Sequence, residues 1–131
     1  MLRLFTSGEI DRAARSGQRD VARAISFAVK EATSKALGTG INGRVGWLDI
    51  EYDDRRPEEV SLTGGARRRA LWLSRPLGDF RAHLHLWIAS DTVTATVLLE
   101  GGPRTKRTRR SRGAAALSSP VQGDVGQGRR Q

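Results

Sequence analysis

The chain has 131 residues, a formal net charge of +9 and no cysteine. That length allows one domain, and the absence of thiols excludes disulfides, thiolate nucleophiles and Cys-based zinc sites together. The charge is uneven: residues 1–100 carry 15 basic and 13 acidic side chains and residues 101–131 carry eight and one, so the high isoelectric point describes a tail and argues against a folded body that is itself a basic surface.

The opening MLRLF is too short an apolar run for a secretory segment, and no run approaches the length of a bilayer span. A cytoplasmic location is expected. Leu2–Phe5 allows a short first strand. Thr6 and Glu9 then have capping-box spacing, and Ile10, Ala14, Gly17, Val21, Ile25, Ala28, Ala32 and Ala36 recur at intervals of three and four. The pattern predicts one long helix or two short ones over residues 7–37, with Ser16-Gly17 as the point of interruption and Phe27 off the buried stripe.

Gly38, Gly40 and Gly43 match the letters of a dinucleotide fingerprint, but a helix precedes them and a strand follows, the reverse of what pyrophosphate binding requires. Gly38 reads instead as a left-handed helix cap and Asn42-Gly43 as a turn. Alternation then predicts strands over Arg44–Asp53, Phe80–Ala89 and Thr92–Leu99, with Ser90-Asp91 turning the last pair; Ala70–Ser74 resembles another strand, ended by Arg75-Pro76-Leu77-Gly78, and Val60 and Leu62 suggest a short one. Ile25, Leu84 and Val97 are expected to meet across a single core.

These elements predict an α+β domain over residues 1–100, an N-terminal helix packed on an antiparallel sheet of about four strands, followed by a disordered Arg-rich tail over residues 101–131. The order resembles that of the cystatin-like folds, in which an antiparallel sheet wraps a helix. None of the cystatins' inhibitory motifs is present, so the resemblance implies architecture and no activity.

No catalytic signature emerges. There is no GxSxG elbow, and the two histidines lie on one strand. The acidic run DIEYDDRRPEE and the His83-x-His85 pair both reach toward metal chemistry, but each reads more simply as a solvated face, and no metal or cofactor is expected. The strongest signal is PRTKRTRRSRG at residues 103–113, where Arg104, Lys106, Arg107, Arg109, Arg110 and Arg112 are suited to non-specific contact with phosphates. Arg81, His83, His85 and Trp87 share one strand face. That face suits a platform for stacked bases, a subunit interface or simple solvation.

The composition therefore points to a protein associated non-specifically with nucleic acid, DNA or RNA, through its tail. The alternative is an assembly protein, a virion or mobile-element component, that forms a homo-oligomer through its sheet. A small enzyme or ligand-binding domain is the third class the sequence leaves open.

Overall fold

The structure, a computed structural model, describes residues 3–103. Thr6 opens the first helix, α1 (Ser7–Arg15), through the expected capping box: the Glu9 amide donates to Thr6 Oγ1 at 3.1 Å and the Thr6 amide donates to Glu9 Oε2 at 2.9 Å. Ser16 ends it by donating its hydroxyl to the Ala13 carbonyl, and Gly17 adopts a left-handed conformation at φ +71°. The helical pattern is thus broken in two. The second helix, α2 (Arg19–Ala36), ends where Gly38 turns left-handed at φ +72° and donates its amide to the Lys35 carbonyl at 2.9 Å.

The buried face of α2 differs from the alanine stripe. Ser26, Val29, Lys30, Thr33 and Ser34 are buried, whereas Ile25, Ala28, Ala32 and Ala36 are half-buried. Polar atoms can occupy this face because each finds an internal partner. Lys30 is fully buried; its Nζ lies 2.9 Å from Glu9 Oε2 and donates to the carbonyls of Trp47, at 2.8 Å, and Ile50. An ammonium has three donors and all three are used. Thr33 Oγ1 donates to the Val29 carbonyl at 2.7 Å, and among the described residues no buried side-chain polar atom lacks a partner.

The expected strand over Arg44–Asp53 is confined to its end. Asp49 Oδ2 accepts from the Gly46 amide at 3.0 Å, which folds Trp47–Asp49 into a 3-10 turn. The first strand, β1 (Ile50–Tyr52), follows and pairs antiparallel with β2 (Val60–Leu62), Ile50 lying opposite Leu62. Ala70–Ser74 is not a strand. It closes a third helix, α3 (Gly64–Leu73), because Ala66 and Ala70, one turn apart, are both fully buried. At its start Gly65 approaches the Arg44 carbonyl so closely that a Cβ would overlap it.

The strands β3 (Asp79–Ile88) and β4 (Val93–Gly102) form the expected hairpin, closed by the Ala89 amide donating to the Thr92 carbonyl at 2.8 Å around Ser90-Asp91. The result is two two-stranded sheets rather than one of about four strands, since α3 separates the hairpins along the chain. They meet where the Leu84 amide donates to the Glu58 carbonyl at 3.0 Å, beside a bridge between Glu59 and His83. A continuous sheet wrapped around one helix, as in cystatin-like folds, is not formed. Residues 3–5 contribute no strand, and the tail cations Arg104 to Arg112 lie outside the described residues.

The core gathers Val29 and Leu37 of the α2 segment, Val45, Ile50, Val60, Leu62, Ala66, Ala70 and Leu84; Ile25 and Val97 pack at its margin. Among the described residues no helix is long and apolar enough to cross a membrane.

Breaking a buried ion pair leaves an uncompensated charge, so Lys30→Met and Glu9→Gln should each destabilise the domain by about 3–5 kcal/mol. The double variant should cost less than the sum of the two, as read by urea unfolding of all four proteins.

Candidate functional site

The solvent-facing side of α2 carries Phe27, Glu31 and Lys35 at intervals of four residues, which stacks them roughly one turn apart on one face. Phe27 is 41% exposed, an unusual position for an apolar ring on a helix that packs against α1, β1 and β4. Its exposed ring has a partner from outside the helix. Trp47 stacks on it with centroids 5.4 Å apart and planes inclined by 23°. Trp47 is in turn held by its carbonyl, which accepts from the buried Lys30 ammonium. The internal charge thus anchors the backbone that carries one ring of an external aromatic wall.

Glu31 is half-buried and Lys35 exposed. Among the described residues neither side chain joins an ion pair or a hydrogen bond, although both residues use their carbonyls, Glu31 accepting from Ser34 Oγ and Lys35 from the Gly38 amide. A carboxylate and an ammonium left open beside an aromatic wall can engage, respectively, a cation and a phosphate, with a planar or apolar group against the rings.

The other charged groups of this end of the molecule are committed to one another. Arg12 donates through Nη2 to Glu51 Oε1 at 2.7 Å and to the Tyr52 carbonyl at 2.8 Å, and its Nε lies 3.9 Å from Asp53 Oδ1. Asp53 accepts from Arg55 Nε at 3.0 Å and from Arg55 Nη2 at 2.7 Å. These hydrogen bonds from Arg55, helped by the Arg12 charge, hold the Asp53 carboxyl well below the usual carboxylate range. Burial, then the charges of Asp54 and Asp53, push the neighbouring Tyr52 phenol up. Above this network lies a cleft of about 180 Å³ between α1, α2 and β1, bordered by Glu9, Arg12, Gln18, Val21, Tyr52 and Asp54.

DIEYDDRRPEE therefore does not form a metal site. Asp49 closes a turn, Glu51 binds Arg12 and Asp53 binds Arg55, and no group of three or more metal-ligating side chains occurs among the described residues. Gly38, Gly40 and Gly43 lie in the loop that ends α2, as the reversed context requires. Arg81, His83, His85 and Trp87 do share the exposed face of β3, Trp87 being 72% exposed, opposite Glu100, Leu98, Thr96 and Thr94 in register. His83 Nε2 meets Glu100 Oε2 at 2.6 Å, and Glu100 is the cross-strand partner of Arg81. The Glu100 carboxylate, in contact with His83 and opposite Arg81, places a negative charge within this face.

Residues 1–97 match the model of the 4'-phosphopantetheinyl transferase superfamily. The chain is 36% identical over 103 residues to the holo-[acyl-carrier-protein] synthase of Methylorubrum populi, covering 77% of this chain and 76% of that protein. It is 38% identical over 107 residues to the synthase of the same name from Xanthobacter autotrophicus, covering 79% and 78%. The crystal structure of the Neisseria meningitidis holo-[acyl-carrier-protein] synthase superposes with a TM-score of 0.57 at 31% identity, covering 75% of this chain and 77% of that one. The expectation of a nucleic-acid-associated protein, and its alternative of an assembly protein, are both overturned by these matches. Glu31 and Lys35 carry no sequence signal of their own, since their spacing is that of any solvated helix pair.

The Asp53 geometry makes a pH prediction. Its folded value lies below the ordinary value of about 3.9, so the unfolded chain binds the proton first as pH falls through about 4, and the stabilisation present above that value is lost on the way down to the folded one. Asp53→Asn should lower stability at neutral pH and flatten its decline below about pH 4 in thermal melts.

Proposed function

Because the chain belongs to the 4'-phosphopantetheinyl transferase superfamily, we propose that it transfers a 4'-phosphopantetheinyl group to an acyl carrier protein and that the α2 face is where the transfer occurs. The donor must carry the group on an activated phosphate, and the phosphoanhydride of coenzyme A has the required linkage. An oxygen of the carrier protein attacks the phosphorus, the anhydride bond breaks, and the leaving phosphate departs with the remainder of the donor. The proton of the attacking hydroxyl passes to water, to which this face is open.

Such a reaction asks a protein chiefly to position the two reactants and to neutralise phosphate charge. Lys35 supplies a point charge for the phosphate oxygens. Glu31 supplies an open carboxylate, and a magnesium ion suits it, since that ion usually takes one or two carboxylates and completes its shell with water and substrate phosphates. Bound there it would neutralise charge on the phosphates. Phe27 and Trp47 offer an apolar wall for the organic part of the donor.

The observation that carries this reading is the pair of half-buried Glu31 and exposed Lys35, on one helix face and joined to no other charge among the described residues. Glu31→Gln and Lys35→Met should each lower kcat by about 10²–10³-fold, the loss typical of removing one charge-stabilising group, with the melting temperature preserved. Turnover unchanged in both variants would place the chemistry elsewhere.

A further inference from the structure

Asn42 is the sole asparagine of the chain, and Gly43 follows it. Both are exposed. The loop they occupy closes back on the end of α2: the Thr39 and Gly40 amides donate to the Ser34 carbonyl, at 3.3 and 3.1 Å, and Asn42 Nδ2 donates to the Thr39 carbonyl at 3.3 Å. Asn42 Oδ1 accepts from the amides of Arg44, at 2.8 Å, and Val45, at 3.1 Å. The carboxamide is therefore folded forward over the peptide that joins Asn42 to Gly43.

That fold places an electrophile beside a nucleophile. The amide donors on Oδ1 draw electron density from Cγ, and they stand where they would stabilise the negative charge that attack on Cγ puts on that oxygen. The attacking atom is the Gly43 nitrogen, whose N–H has no hydrogen-bond partner among the described residues. Gly43 has no Cβ, and nothing lies within 4 Å of where one would stand, so this peptide is free to rotate toward Cγ. The leaving nitrogen, Nδ2, is held only by its long bond to Thr39.

We propose that Asn42 is a site of spontaneous covalent modification, at which the folded chain converts its own carboxamide to a carboxylate and so weakens binding of an anionic donor at the α2 face. Hydroxide removes the Gly43 amide proton, the nitrogen attacks Cγ, and a cyclic succinimide closes as the Cγ–Nδ2 bond breaks and ammonia leaves with a proton from water. Water then adds to either imide carbonyl and opens the ring to aspartate or isoaspartate. One carboxamide and water become one carboxylate and ammonium, with no change of oxidation state. Residues 34–46 contain Lys35 and Arg44 and no acidic residue, so the new charge offsets half of the local positive charge. Thr39 ties Asn42 to the turn that bonds the Ser34 carbonyl, next to Lys35, and charges at a surface act over about 10 Å at moderate salt. The effect on the donor rests on the function proposed above; the modification itself does not.

The test follows the chemistry and the binding separately. Freshly prepared full chain, its Gly43→Ala variant and a peptide of residues 39–46 are incubated at mildly alkaline pH, and conversion is read by intact mass and by isoaspartyl methyltransferase labelling. The wild-type chain should gain about 1 Da and the label, faster as pH rises. Gly43→Ala, which the open space at Gly43 accommodates, should convert roughly tenfold more slowly, because a Cβ restricts rotation of the attacking peptide. Coenzyme A is then titrated calorimetrically into fresh wild type, converted wild type and Asn42→Asp. The last two should bind it severalfold more weakly than the first, with the difference shrinking as salt is added. Asn42→Asp should keep the wild-type melting temperature, since a carboxylate accepts the same amide bonds from Arg44 and Val45. A folded chain whose mass holds while the peptide converts would overturn the inference, as would equal coenzyme A affinity of fresh and converted protein. Conversion of a fresh chain that binds no coenzyme A at all would sustain the modification site and overturn the transferase reading instead.

Discussion

One ammonium group organises the described fold. Lys30 Nζ is removed from water and surrounded by the Glu9 carboxylate and the carbonyls of Trp47 and Ile50. Glu9 spends its other oxygen on the Tyr52 amide, at 3.1 Å, while capping α1. Two charged side chains thereby join α1, α2, β1 and the 3-10 turn before it. Burying either charge alone would be prohibitive, so each element is held in place by the requirement that the others be present.

The remaining charges divide into two kinds. Around β1 they satisfy one another, Arg12 with Glu51 and Asp53, and Arg55 with Asp53. Along the outer face of α2 and over α3 they do not: Glu31, Lys35, Arg67, Arg68, Arg69 and Arg75 have no ionic partner among the described residues. The first group links the elements around β1, whereas the second makes no ionic contribution to the described fold. Trp47 connects the two, since its carbonyl belongs to the buried pair and its ring to the wall beside Glu31.

What the sequence revealed was local. The Thr6–Glu9 capping box, the interruption at Ser16-Gly17, the left-handed Gly38 and the β3–β4 hairpin each depend on residues a few positions apart, and each was legible. Long-range effects were not. Lys30 is polar and lay off the apolar stripe, and nothing near it in sequence announced Glu9, 21 positions earlier, as its counter-charge. The short apolar LWL run in Ala70–Ser74 resembles a strand, whereas its true period appears only when Ala66 is set beside Ala70. The α2 face was hidden for a further reason: exposed Glu and Lys at four-residue spacing decorate many helices, and only their lack of partners beside a stacked Phe27 and Trp47 distinguishes them. The exposed Phe27 was the one available hint.

The transfer proposed for the α2 face has a simple chemical outcome. Intact-mass spectrometry of an apo acyl carrier protein, incubated with the full chain, coenzyme A and magnesium, tests it most directly. The account predicts that the carrier gains the mass of one phosphopantetheinyl group in the presence of the chain and not in its absence. A folded chain that leaves the carrier's mass unchanged at saturating donor would contradict it.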